Sequence, residues 1–87
     1  MDAEVSRRIK LERQKAGLSQ GALGAQIGVT FQQVQKYESG SNRVTIGRLV
    51  QIAVALGIPV AAFTDGLEAL SKSEAGRNPS TKRKRKG

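Results

Sequence analysis

Between Leu18 and Gly40 the chain reads LSQGALGAQIGVTFQQVQKYESG, two short apolar-periodic segments joined by Gly28-Val29. So brief a junction admits few backbone paths. A glycine there can take the positive φ of a tight interhelical turn, and Ser19 and Thr30 each stand where a hydroxyl can accept an orphan N–H of the helix that follows. The expected result is two short helices, Ser19 to Ile27 and Thr30 to Ser39, with Leu23, Ile27, Val34 and Tyr37 turned inward.

The flanking segments follow the same pattern. A first helix is expected from about Ala3 to Ala16, with Val5, Ile9 and Ala16 on its inner side and Gly17 ending it. After the polar stretch Ser41-Asn42-Arg43-Val44, Thr45 can cap a fourth helix. Its stripe would be Ile46, Leu49, Val50, Ala53 and Leu56, closed by Gly57 and Pro59. A last short helix is expected near Val60 to Phe63, with Leu67 and Leu70 extending the apolar contact or marking a subunit surface. No alternating strand pattern of useful length occurs. The fold class is therefore all-α, with five short helices over residues 1–70. Gly21 and Gly24 each weaken the second helix by roughly 1 kcal/mol relative to alanine, so packing must hold it.

The charge is unevenly placed. Residues 1–76 hold 9 Lys/Arg against 7 Asp/Glu, and residues 77–87 hold 6 basic residues with no acid, so most of the net +8 sits in the tail. A segment such as RNPSTKRKRKG has almost nothing apolar to bury, and residues 71–87 are expected to be a disordered tail. Without Cys or His, disulfides and the usual zinc sites are excluded, and no cofactor or metal is expected. No apolar run approaches a membrane span and MDAEVSRRIK lacks a signal-peptide core, which points to a cytoplasmic protein. Scattered carboxylates, no Gly-Lys-Ser/Thr and no nucleophile with a base argue against an enzyme.

In order along the chain, IKLERQKAGLSQ, LGAQIGVT, QKYESG and LVQIAVALGIP resemble the Cro/repressor, or xenobiotic-response-element, helix-turn-helix family of phage and bacterial regulators, over about Val5 to Phe63. The resemblance implies a compact five-helix, lambda-repressor-like domain, the motif itself at about 19–39. It also implies a third helix laid in the major groove of double-stranded DNA. Two departures stand out: the family often has alanine where this chain has Gly24, and an acidic residue where it has Gly21 or Ala22.

On that basis the base-reading residues would be Phe31, Gln32, Gln33 and Lys36. Glutamine can bond adenine N6 and N7 in a bidentate way, and lysine reaches guanine or a phosphate. Phe31 has two readings, packing on a thymine methyl or covering the helix junction. Gln33 also has two, base contact or the return bond of a Thr30-x-x-Gln33 capping box; Gln35 belongs to the solvated flank. Phosphate contacts are expected from Ser19 and Gln20 at the start of the second helix, and from Ser41, Asn42 and Arg43 after the third. Family positions matched by Arg13 and Glu38 pair between the first and third helices. Lys82, Arg83, Lys84, Arg85 and Lys86 would add nonspecific grip.

The function implied is a sequence-specific transcriptional regulator, a repressor, binding a palindromic operator as a homodimer in a bacterial or phage cytoplasm. The competing class is an antitoxin-type module that binds a toxin partner while regulating its own operon. Tail-driven nonspecific coating of nucleic acid is a third.

Overall fold

The computed structural model describes residues 3–67. Their five helices are α1 (Ala3–Lys15), α2 (Gln20–Ile27), α3 (Phe31–Ser39), α4 (Ile46–Leu56) and α5 (Ala61–Thr64). No strand occurs among the described residues, and the all-α architecture is as the sequence implies. One device starts three of the helices. Ser19, Thr30 and Thr45 have extended backbone, and their hydroxyls accept the N–H of Ala22, Gln33 and Arg48 at 3.0, 3.2 and 3.0 Å. Each hydroxyl satisfies a donor that the helix leaves unpaired, a contribution of about 1 kcal/mol per cap.

The turn between α2 and α3 depends on two glycines for different reasons. Gly28 sits at φ +79° and donates its N–H to Gly24 O, ending α2 in the left-handed conformation that costs a side chain most. Gly24 matters for space. A Cβ there would lie 2.5 Å from Val29 O and 3.2 Å from Thr30 O, so the incoming strand of the turn runs against the helix backbone. The sequence counts Gly24 as a weak point in α2, whereas the structure makes it a requirement of this tight turn.

α2 packs on α3 and α4, while α1 lies across α3, α4 and α5. Phe63, Ile9, Leu23, Ile52 and Val34 are fully buried at the centre, with Val5, Ile27, Tyr37, Leu49 and Ala53 around them. Four-residue α5 thus contributes one large anchor, Phe63, rather than helical length. Its far end is tied to α1, where Arg8 Nη1 donates to Asp65 O at 2.7 Å. Hydrogen bonds from Arg7 and then Arg8 hold the Glu4 carboxyl well below the usual carboxylate range, at about 2.

Two expected core faces are corrected. In α4 the inward residues are Leu49, Ile52 and Ala53, whereas Ile46 and Val50 are exposed. Apolar residues surround almost the whole of IGRLVQIAVAL, so periodicity alone does not choose a side. With this face inward, Arg48 Nη1 donates to Ile27 O at 2.7 Å, satisfying a terminal carbonyl of α2. In α1, Ala16 lies beyond the last helical residue and is exposed, and the buried positions are Val5, Ser6, Ile9 and Arg13. Leu67 packs partly on the core; Leu70 and residues 71–87 lie outside the described residues.

The two α2 glycines should respond oppositely to alanine. A Cβ at Gly21 meets only ordinary contacts, at 3.9 Å from Phe31 Cβ and Ser19 Oγ. Gly21→Ala should therefore raise unfolding free energy by up to ~1 kcal/mol in urea denaturation. Gly24→Ala should instead lower it by about 1–3 kcal/mol, the usual cost of an overpacked site, and Gly24→Val by at least as much. Equal stabilisation by alanine at both positions would contradict the close approach at Val29.

Candidate nucleic-acid interface

The N-terminal ends of α2 and α3 lie near each other: a Cβ placed on Gly21 would come within 3.9 Å of Phe31 Cβ. Phe31 is 52% exposed. Gln32 and Lys36 are exposed, Gln33 is half-buried, and Val34 and Tyr37 are in the core. This division follows from helical spacing: 34 and 37 point one way, while 32 and 36, four apart, share an outer face. Gln35 is exposed as well.

Thr30 forms half of a capping box as an acceptor. Its Oγ1 takes the Gln33 N–H at 3.2 Å, but no return bond from the Gln33 side chain forms among the described residues. After α3, Asn42 N–H donates to Lys36 O at 3.2 Å, and Ser39 Oγ and Ser41 Oγ are 2.9 Å apart. These bonds fold the 41–43 loop back on the C-terminal end of α3. Arg43 is exposed there.

Residues 3–67 carry eight Lys/Arg and four Asp/Glu, a net +4. Most of those cations are already engaged. Arg7 and Arg8 bond Glu4, Arg13 bonds Glu38, Lys15 bonds Glu12, and Arg48 bonds Ile27 O and Gln51 Oε1. Among the described residues, the basic side chains outside any ion pair or hydrogen bond are Lys10, Lys36 and Arg43. Lys36 lies on α3 and Arg43 follows it.

What holds α3 in place is a buried ion pair. Arg13 Nε donates to Glu38 Oε2 at 2.6 Å and Nη2 to Oε1 at 3.0 Å, the two-pronged geometry that suits guanidinium and carboxylate. The Arg13 and Glu38 side chains are only 10% and 3% exposed. Arg13 Nη1 also donates to Leu18 O at 2.7 Å, joining α1 and the following turn to α3.

Gln20 completes this cluster. Its Nε2 donates to Glu38 Oε1 at 3.1 Å, so the amide is anchored at the start of α2 against the buried carboxylate. Ser19 is the α2 cap. Nothing in the sequence singles out a bond between Gln20 and Glu38, eighteen positions apart and on different helices. Arg48 was missed too; a basic residue near the terminal carbonyls of a neighbouring helix is its only signal. Lys82, Arg83, Lys84, Arg85 and Lys86 lie outside the described residues.

Removing one member of the pair strands the other in a poorly solvated place. Arg13→Ala and Glu38→Ala should each lower unfolding free energy by ~3 kcal/mol in chemical denaturation. Gln20→Ala should cost about 1 kcal/mol. Losses below ~1 kcal/mol for both charge deletions, typical of exposed pairs, would contradict a buried lock.

Residues 9–63 match the helix-turn-helix family. An uncharacterized HTH-type transcriptional regulator of Sinorhizobium fredii is 54% identical over 67 residues, 77% of this chain and 47% of that protein. One from Rhizobium meliloti is 49% identical over 63 residues, 72% of this chain and 45% of its own length. An uncharacterized transcriptional regulator in the ATPase CF(0) region of Rhodospirillum rubrum is 46% identical over 68 residues, covering 78% and 63%. The chain spans about half the length of the first of these relatives. With α2, the Gly28 turn and α3 in the expected order, the chain belongs to the helix-turn-helix family of the Cro/repressor, xenobiotic-response-element type.

Proposed function

We propose that this chain is a sequence-specific, double-stranded-DNA-binding transcriptional regulator that inserts the N-terminal part of α3 in the major groove. The observation that carries this reading is the outer face of α3. Gln32 and Lys36 project from a helix whose inner face is fixed by Val34, Tyr37 and the Arg13–Glu38 pair. Amide and ammonium groups on a rigid mount suit base edges, since a bidentate glutamine–adenine bond requires a set orientation. Phe31, half-exposed, meets a thymine methyl, and Gln33 contributes where its half-buried amide can reach.

Phosphate contacts come from Ser41, Asn42 and Arg43 at one end of α3 and from the start of α2 at the other. At α2 the helix N-terminus and Ser19 supply the donors, with Gln20 holding the end in register through Glu38. The molecule acts as a repressor by occupying a palindromic operator as a homodimer, since one short helix spans few base pairs and two-fold pairing doubles the site. The names of its relatives, all transcriptional regulators, favour this over an antitoxin role. The tail cations Lys82, Arg83, Lys84, Arg85 and Lys86 add sequence-independent attraction to the phosphate backbone.

Two changes separate reading from grip. Gln32→Ala should weaken binding to the preferred site by about 1–3 kcal/mol and relax preference at one base position, measured by fluorescence anisotropy on a panel of single-base variants. An equal loss on every sequence would contradict base reading. Replacing Lys82 to Lys86 by glutamine should leave sequence preference intact and flatten the log–log salt dependence by about 0.9 per lost phosphate contact. An unchanged slope would remove the tail from the binding account.

A further inference from the structure

Five basic residues lie on α1: Arg7, Arg8, Lys10, Arg13 and Lys15. Four of them are held in ion pairs, with Glu4, Glu38 and Glu12. Lys10 is the exception, exposed and joined to no carboxylate among the described residues. Its own helix offers it no partner. The positions three and four away, where helical side chains meet, are Ser6, Arg7, Arg13 and Gln14, two cationic and none acidic. Lys15, by contrast, has Glu12 at that spacing and pairs with it at 3.2 Å.

The place of Lys10 follows from its neighbours. Ser6 and Arg13 lie one turn to either side of it on the same flank of α1, and both meet the C-terminal end of α3. Ser6 Oγ is 3.5 Å from where a Cβ on Gly40 would stand, and Arg13 is bonded to Glu38. Lys10 therefore projects beside the last turn of α3. Lys36 lies in that turn, and the bond from Asn42 N–H to Lys36 O folds the loop carrying Arg43 onto the same end. Cations from α1, α3 and the loop thus gather around one helix end. Glu38, the one acid of α3, is buried there and neutralised by Arg13.

We propose that Lys10 is a phosphate contact made from the scaffold helix, gripping the DNA backbone beside Arg43 and outside the helix-turn-helix motif. The assignment rests on the DNA-binding reading above and extends its contact surface to α1. A compact ammonium on a flexible stem suits a phosphodiester oxygen, and such a contact positions the protein without reading sequence. A cation with no internal partner also gives up nothing when it meets a phosphate, so the whole of its counterion release goes into binding. Arg7, Arg8, Arg13 and Lys15 would each have to leave or share a carboxylate first.

Fluorescence anisotropy of the full chain on a random-sequence duplex, across a salt series from about 50 to 400 mM, tests the contact. Lys10→Gln should flatten the log–log salt slope by about 0.9. With 1 M salt as the reference where the contact vanishes, that slope amounts to roughly eightfold weaker binding at 0.1 M. Lys10→Arg should restore both, and all three proteins should melt together because the side chain is exposed and unpaired. On a site selected from random DNA, Lys10→Gln should lose the same factor with base preference intact. Single methylphosphonate substitutions in that site should then find a phosphate whose neutralisation weakens the wild type and Lys10→Arg but not Lys10→Gln. An unchanged slope, a loss confined to the selected site, or a lower melting temperature without a change in slope would overturn the contact. So would a scan in which no phosphate separates the variants. A wild type without sequence preference would sink the base-reading proposal and leave the slope test of Lys10 intact, whereas a wild type that binds no duplex at all would overturn both.

Discussion

The bond between Arg13 and Glu38 is the constraint on which the rest of the site depends. Taking both ions out of water costs several kcal/mol per ion, and a two-pronged bond roughly offsets that rather than exceeding it. Its value is orientation. Two parallel N–H···O bonds tie α3 to α1 in the same rotation that places Val34 and Tyr37 in the core and leaves residues 32 and 36 facing outward. Leu18 O and the Gln20 amide take up remaining hydrogen-bonding capacity, so the pair also sets where α2 begins.

From that fixed point the molecule divides into a mount and a contact face. Among the described residues most charges are used internally: four ion pairs and the Arg48 bond to Ile27 O leave few cations uncommitted. Lys36 and Arg43 are among those few, and both sit along or just after α3. The proposed contact face would therefore draw its positive potential from these side chains, while the cations in ion pairs are screened by their partners. Glycine is used with similar economy, Gly24 giving way to the Val29 carbonyl so that the two motif helices can meet at all.

Much of this was legible in the sequence because it is local. Ser19, Thr30 and Thr45 as caps, Gly28 as the turn and Leu23, Ile27, Val34 and Tyr37 as core follow from spacing, and the structure shows each of them. What the sequence could not supply was direction in space. α4 is apolar nearly all round, so Ile46 and Val50 were expected inside although Ile52 belongs there. Gln20 looked like a free amide at a helix start because its acceptor, Glu38, is distant along the chain. Gly24 looked costly because propensity counts the helix alone and not the carbonyl pressed against it.

The central claim is that a rigidly held α3 reads base sequence rather than merely attracting DNA. Enrichment of bound sites from a random duplex library by the purified chain, at near-physiological salt, tests it most directly. The account predicts convergence on a short motif with two-fold related halves, bound roughly 10³-fold or more tighter than unrelated DNA. A library that stays random after repeated rounds, with affinity set by salt alone, would contradict it.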